Sequence, residues 1–78
     1  MEHFHLYQYF VTYSESQFPR DKFQLTIEYK GSTIEPATDK IQKIQILIIE
    51  KHNSLPEYIE KTEGDIDGII IHSLTRLD

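Results

Sequence analysis

Side chains able to do chemistry are sparse in this chain. His3 and His5 stand two positions apart, so on a strand both imidazoles project to one face, and with His52, His72 and a nearby carboxylate they are the one conceivable metal-ligating set. The set lacks cysteine and the H-E-x-x-H spacing that brings two imidazoles together on a helix, so surface histidines are expected and no metal site is assigned. Asp65-Ile66-Asp67-Gly68 resembles the start of a calcium loop but has neither the third acidic ligand nor the closing glutamate, and reads as a turn. Ser73 and His72 are adjacent, yet strand neighbours point to opposite faces and are badly placed as nucleophile and base. None of Gly31, Gly64 and Gly68 opens a helix, which excludes a glycine-rich phosphate loop. With no catalytic or cofactor-binding set, and too little chain to wall off a pocket, the sequence predicts a protein that is not an enzyme and uses no cofactor.

Composition narrows the choice further. At 78 residues, with 38% hydrophobic and 27% charged residues, the chain is expected to form a single globular domain over 1–78 rather than a disordered tail. Thirteen acidic against eight basic residues give a net charge of −5, which removes the attraction on which direct nucleic-acid binding depends. The absence of cysteine excludes a disulfide framework and fits a cytoplasmic location, so packing or self-association must hold the domain together. Glu2 and two histidines stand where a signal peptide would be basic, and the longest apolar run is Ile46-Leu47-Ile48-Ile49, so neither a leader nor a membrane span is expected.

The elements that must position any site follow from periodicity. Residues 3–13 are aromatic and β-branched without proline or glycine and read as a strand apolar on both faces: Tyr7, Tyr9, Val11 and Tyr13 on one, Phe4, Leu6 and Phe10 on the other. A loop over 14–20 precedes a second strand, in which Phe23, Leu25, Ile27 and Tyr29 alternate with polar residues until Gly31 and Ser32 end it. Ile34 is read as tucking under the following turn. Pro36-Ala37-Thr38-Asp39 reads as a helix start with Thr38 as N-cap, followed by a stripe of Ile41, Ile44, Ile48 and His52 and a terminator at Asn53. Ile44, Ile46 and Ile48 also alternate as a strand would. A second short helix is expected over 55–60 with Pro56 in its first turn, then a turn over 64–68 and a last strand over 69–77. A crossover from the second strand makes the third parallel to it, so the third can flank the first. The expected fold is α+β, ββαβ: a three-stranded antiparallel sheet in order 2-1-3 with one main helix on one face.

One helix leaves one sheet face uncovered, and Tyr7, Tyr9 and Tyr13 are the expected contact residues there, with core packing as the other reading. Ile46 and Ile49 lie off the main helical stripe and are candidates for a partner or a second copy. Glu57, Glu60, Glu63, Asp65 and Asp67, against Lys61 alone, form an acidic segment that is either a solvated face or a contact for a basic protein surface, including one that normally holds nucleic-acid phosphates.

Tyr9-Phe10-Val11-Thr12-Tyr13, Asp39-Lys40-Ile41-Gln42-Lys43-Ile44 and Ile69-Ile70-Ile71-His72-Ser73-Leu74-Thr75-Arg76-Leu77 resemble small cytoplasmic proteins of phages, prophages and mobile elements across most of the chain. The resemblance implies a ββαβ protein without enzymatic activity. In size and acidity the chain is also similar to anti-CRISPR proteins, which inhibit by binding a component of a defence complex, although no motif residue carries that role over. The loop around Pro19 and the segment 55–63 depart from the phage-type pattern. The expectation is therefore a protein-binding inhibitor acting by occlusion on a host defence, CRISPR-Cas-like complex. The other reading is a self-associating homodimer without an inhibitory role.

Overall fold

Alternation in the second strand organises the architecture. In the computed structural model, which describes residues 4–17, 19–32 and 37–77, β2 spans Phe23–Ser32 and buries Phe23, Leu25, Ile27 and Tyr29 while Gln24, Thr26, Glu28 and Lys30 stay exposed. β1 (Phe4–Glu15) pairs antiparallel with β2, with Tyr7 opposite Tyr29, Tyr9 opposite Ile27, Val11 opposite Leu25 and Tyr13 opposite Phe23. α1 (Ala37–Asn53) and α2 (Pro56–Lys61) follow, and β3 (Ile69–Arg76) pairs antiparallel with the other edge of β1. The sheet order is β2-β1-β3, the α+β arrangement expected from the sequence. His3, Ile34 and Pro36 lie outside the described residues. Among the described residues no helix is long and apolar enough to cross a membrane.

Residues opposite one another on paired strands share a face, so the register joins the odd positions of β1 to the apolar side of β2 as one continuous surface. α1 covers that surface with Ile44, Ile48 and His52, spaced four apart on one side of the helix. Tyr7 and Tyr9 are consequently only 8% exposed and Tyr13 is sealed, which corrects their assignment to an uncovered face. Lys40 and Arg76 lie over the Tyr7 ring at 4.3 and 4.9 Å from its centroid, close enough for cation–π attraction. The uncovered face carries the even positions of β1: Phe4 and Leu6 at 62% and 51% exposed, half-buried Phe10, and Gln8 donating to the Glu28 carboxylate at 3.3 Å. Gly31 is bare because the Tyr29 ring occupies the space a Cβ would need.

Local boundaries differ from the expected ones in three ways. α1 already includes Ala37 and Thr38, so Thr38 sits in its first turn rather than at the cap. Ile41, assigned to the buried stripe, is exposed, while Ile49, assigned to a contact surface, packs against the core, because the covered side of the helix is centred on Ile44 and Ile48. β1 continues through Ser14 and Glu15, both buried, because β3 keeps pairing with them. Thr12 faces Ser73 while Tyr13 faces Ile71, so His72 is an extra residue in a β-bulge, and its Nε2 lies 2.8 Å from the Ser14 hydroxyl.

A core this small gives each central side chain a large share of the stability, about 0.05–0.15 kcal/mol per residue in total. Ile48→Ala is expected to lower the unfolding free energy by about 2–5 kcal/mol. Ile41→Ala is expected to change it by less than about 0.5 kcal/mol in the same urea titration.

Candidate interaction surfaces

Two arrangements of polar side chains shape the exposed surface, and the first is internal. His52, fully buried near the end of α1, places Nδ1 2.7 Å from the Tyr13 hydroxyl and Nε2 3.2 Å from Thr62 Oγ1. Thr62 lies 2.8 Å from the Gly64 carbonyl, which can only accept. The Thr62 hydroxyl therefore donates to Gly64, its oxygen accepts from His52 Nε2–H, and Nδ1 accepts from the Tyr13 hydroxyl. This chain ties β1 through α1 to the turn after α2. Phe23, Tyr13 and Tyr58 surround the imidazole at ring-centroid distances of 4.9, 5.8 and 5.6 Å. Burial lowers the His52 pKa below its ordinary value, against a smaller upward pull from Asp65, and burial also raises the Tyr13 phenol, with Tyr58 adding to it.

The second arrangement fixes the acidic segment. α2 ends in a Schellman motif: Gly64 N–H donates to the Ile59 carbonyl at 2.8 Å and Glu63 N–H to Glu60 at 3.3 Å. This places Glu63 in the left-handed region at φ 59°, where glycine is the easier residue. Beyond the turn, the Asn53 amide donates to the Ile66 carbonyl at 2.9 Å and accepts from Ile66 N–H at 2.8 Å, while the Ile66 side chain is buried. The Tyr58 hydroxyl donates to the Gln24 carbonyl at 2.8 Å and anchors α2 against β2. Glu57, Glu60, Glu63, Asp65 and Asp67 are all exposed around this anchored backbone.

The contact residues read from the sequence thus separate. Tyr7, Tyr9 and Tyr13 belong to the core, Ile49 packs against it, and Ile46 and the five carboxylates remain at the surface. Ile46, 55% exposed, lines a groove of about 380 Å³ between α1 and β2 with Lys43, Leu47, Glu50, Glu28 and Lys30. Both nitrogens of His52 are engaged in the core and His72 is held on Ser14, so neither stands beside His5. Among the described residues no three side chains of the metal-ligating types come together. The His52 chain was missed in the sequence because Tyr13, His52 and Thr62 are far apart in it; the one available signal was His52 on an otherwise apolar stripe. Asn53 ends α1 as its residue type predicts, and its hold on Ile66 has no signal in the sequence.

Among the described residues, these features define a small α+β protein with one uncovered sheet face, an anchored acidic segment and an open strand edge. Comparison with family models, curated proteins and solved structures returns no match to the chain.

Because native His52 binds its proton less readily than the unfolded chain, folding excludes that proton and stability must rise with pH. The His52 contribution is present in full above pH 6.5 and is lost as pH falls below it, levelling off beneath the lowered native pKa. Urea titrations at about pH 7.5 and about pH 5.5 should show the wild type losing up to about 1.4 kcal/mol per pH unit across this window. His52→Gln, which keeps a polar group at the site without the titration, should be less stable at the higher pH and show a weaker dependence.

Proposed function

We propose that this protein is a non-enzymatic binder that occupies a basic surface of another protein through the segment over residues 57–67. The observation that carries the reading is Glu63, which adopts a left-handed backbone at φ 59° with its side chain in solvent. A glutamate there costs roughly 1–2 kcal/mol relative to glycine and has no role in the core; what it adds at this position is an exposed charge. Anchoring by Asn53, Tyr58 and the Thr62–Gly64 bond holds Glu57, Glu60, Asp65 and Asp67 around the same turn. Carboxylates held in advance lose less conformational freedom on binding, and their field speeds encounter with a basic partner.

Carboxylates at fixed positions are complementary to a basic surface, including one that holds nucleic-acid phosphates. Together with the resemblance to small phage proteins and to anti-CRISPR proteins, this supports inhibition of a host defence, CRISPR-Cas-like complex by occlusion, in the cytoplasm of the host cell. Such an inhibitor needs no cofactor, no membrane and no direct contact with nucleic acid.

Glu63→Gly separates charge from fold. It is expected to raise stability by about 1–2 kcal/mol in urea titrations while weakening capture of the partner. In pull-downs from host lysate, a stoichiometric partner should be retained at low salt, released at high salt, and lost by a Glu60→Lys, Glu63→Lys, Asp65→Lys variant. A partner held equally by wild type and variant, or none at low salt, contradicts the reading.

A further inference from the structure

β2 is an edge strand, so the N–H and C=O groups of alternate residues point away from β1. The even residues are the outward ones, because the Gln24 carbonyl accepts from the Tyr58 hydroxyl and the Thr26 carbonyl from Lys51 Nζ. These two contacts cap the first half of the edge. In the second half, Glu28 and Lys30 present their backbone groups outward, and no other described strand pairs with them. The outer edge of β3, by contrast, belongs to a strand bulged at His72, a distortion that disfavours strand addition.

We infer that the open half of β2 pairs antiparallel with the same strand of a second copy around a two-fold axis at Tyr29, joining two sheets into one of six strands. The charges select this register. With Tyr29 on the axis, Glu28 of each copy lies opposite Lys30 of the other, forming two opposite-charge cross-strand pairs. Shifting the axis to Glu28 sets two glutamates face to face, and shifting it to Lys30 sets two lysines face to face. Pairing an outward residue with an inward one turns the buried side of β2 to solvent, which excludes the intermediate registers.

A groove runs beside the edge on the helix side. Lys43, Ile46, Leu47 and Glu50 of α1 line it together with Glu28, Tyr29 and Lys30 of β2. Two-fold rotation about Tyr29 runs the helices antiparallel with the start of α1 nearest the axis, because Lys40 lies over Tyr7, the residue opposite Tyr29. The helices have room for this. α1 reaches the central strand at both ends, through Lys40 over Tyr7 and His52 on Tyr13, and therefore lies over β1 and β2 rather than beyond the edge. The acidic segments do not oppose the pairing: Tyr58 fixes α2 beside Gln24, about 17 Å along the strand from the axis, beyond the reach of charge at physiological salt. The dimer rests on the edge of β2 and is independent of the function of the acidic segment.

Analytical ultracentrifugation of the wild type, E28K, K30E and their equimolar mixture tests the inference. The wild type should sediment at twice the 9.3 kDa chain mass. Each single variant sets like charges opposite one another twice and should weaken association about tenfold or more, with circular dichroism unchanged because both side chains are exposed. Mixing E28K with K30E places lysines opposite glutamates again and should restore the dimer as a heterodimer. A wild type that stays monomeric at roughly 0.5 mM overturns the inference. So does a dimer indifferent to both reversals, which would use another face such as that of Phe4 and Leu6, and so does a mixture that fails to recover.

Discussion

The β1–β2 register is the constraint on which the rest of this structure depends. β1 is apolar on both faces and could offer either to a helix, whereas β2 has one apolar side. Pairing Tyr9 with Ile27 and Tyr13 with Phe23 fuses the apolar side of β2 to the tyrosine side of β1 and leaves Phe4, Leu6 and Phe10 among polar neighbours. The helix then has one surface large enough to cover. A slip of one residue would have reversed the choice, because strand side chains alternate strictly between faces.

Placing tyrosines rather than aliphatic residues under the helix brings phenol groups into the core, and buried hydroxyls need partners. For Tyr13 the partner is His52, and for His52 it is Thr62, so satisfying one hydroxyl extends a chain of hydrogen bonds into the turn that carries the acidic segment. Asn53, the next residue of the helix, grips Ile66 on the far side of that turn. Core packing and the geometry of the charged surface are in this way one connected system. The same helix supplies Lys51 and the residues of the groove beside β2, and so decides how much of the strand edge stays open.

Much of this was legible in the residues. The alternation from Phe23 to Tyr29 located β2 and its buried side, Pro56 located the start of α2, and the doubly apolar first strand asked for the central place that it occupies. The helix over Ile44 and Ile48 prevailed over its strand rival because Ile44, Ile48 and His52, four positions apart, continue across the covered face. Other features were not legible. Nothing local in Thr38 says that the helix has already begun, and nothing in Ile41 and Ile49 says which side of the helix faces the sheet. The left-handed backbone of Glu63 is invisible in a sequence that has glycine one residue later, where such a conformation would be expected.

By itself, the sequence determined the element order, the sheet order and the concentration of carboxylates over 57–67. These follow from local periodicity, residue chemistry and strand connectivity, all of which act along the chain. Only the tertiary structure decided which face of β1 is covered, that the tyrosines belong to the core, that His52 joins Tyr13 to Thr62, and that half of the β2 edge is capped and half open. Those outcomes depend on the meeting of residues 10 to 39 positions apart, and no local pattern encodes such a meeting.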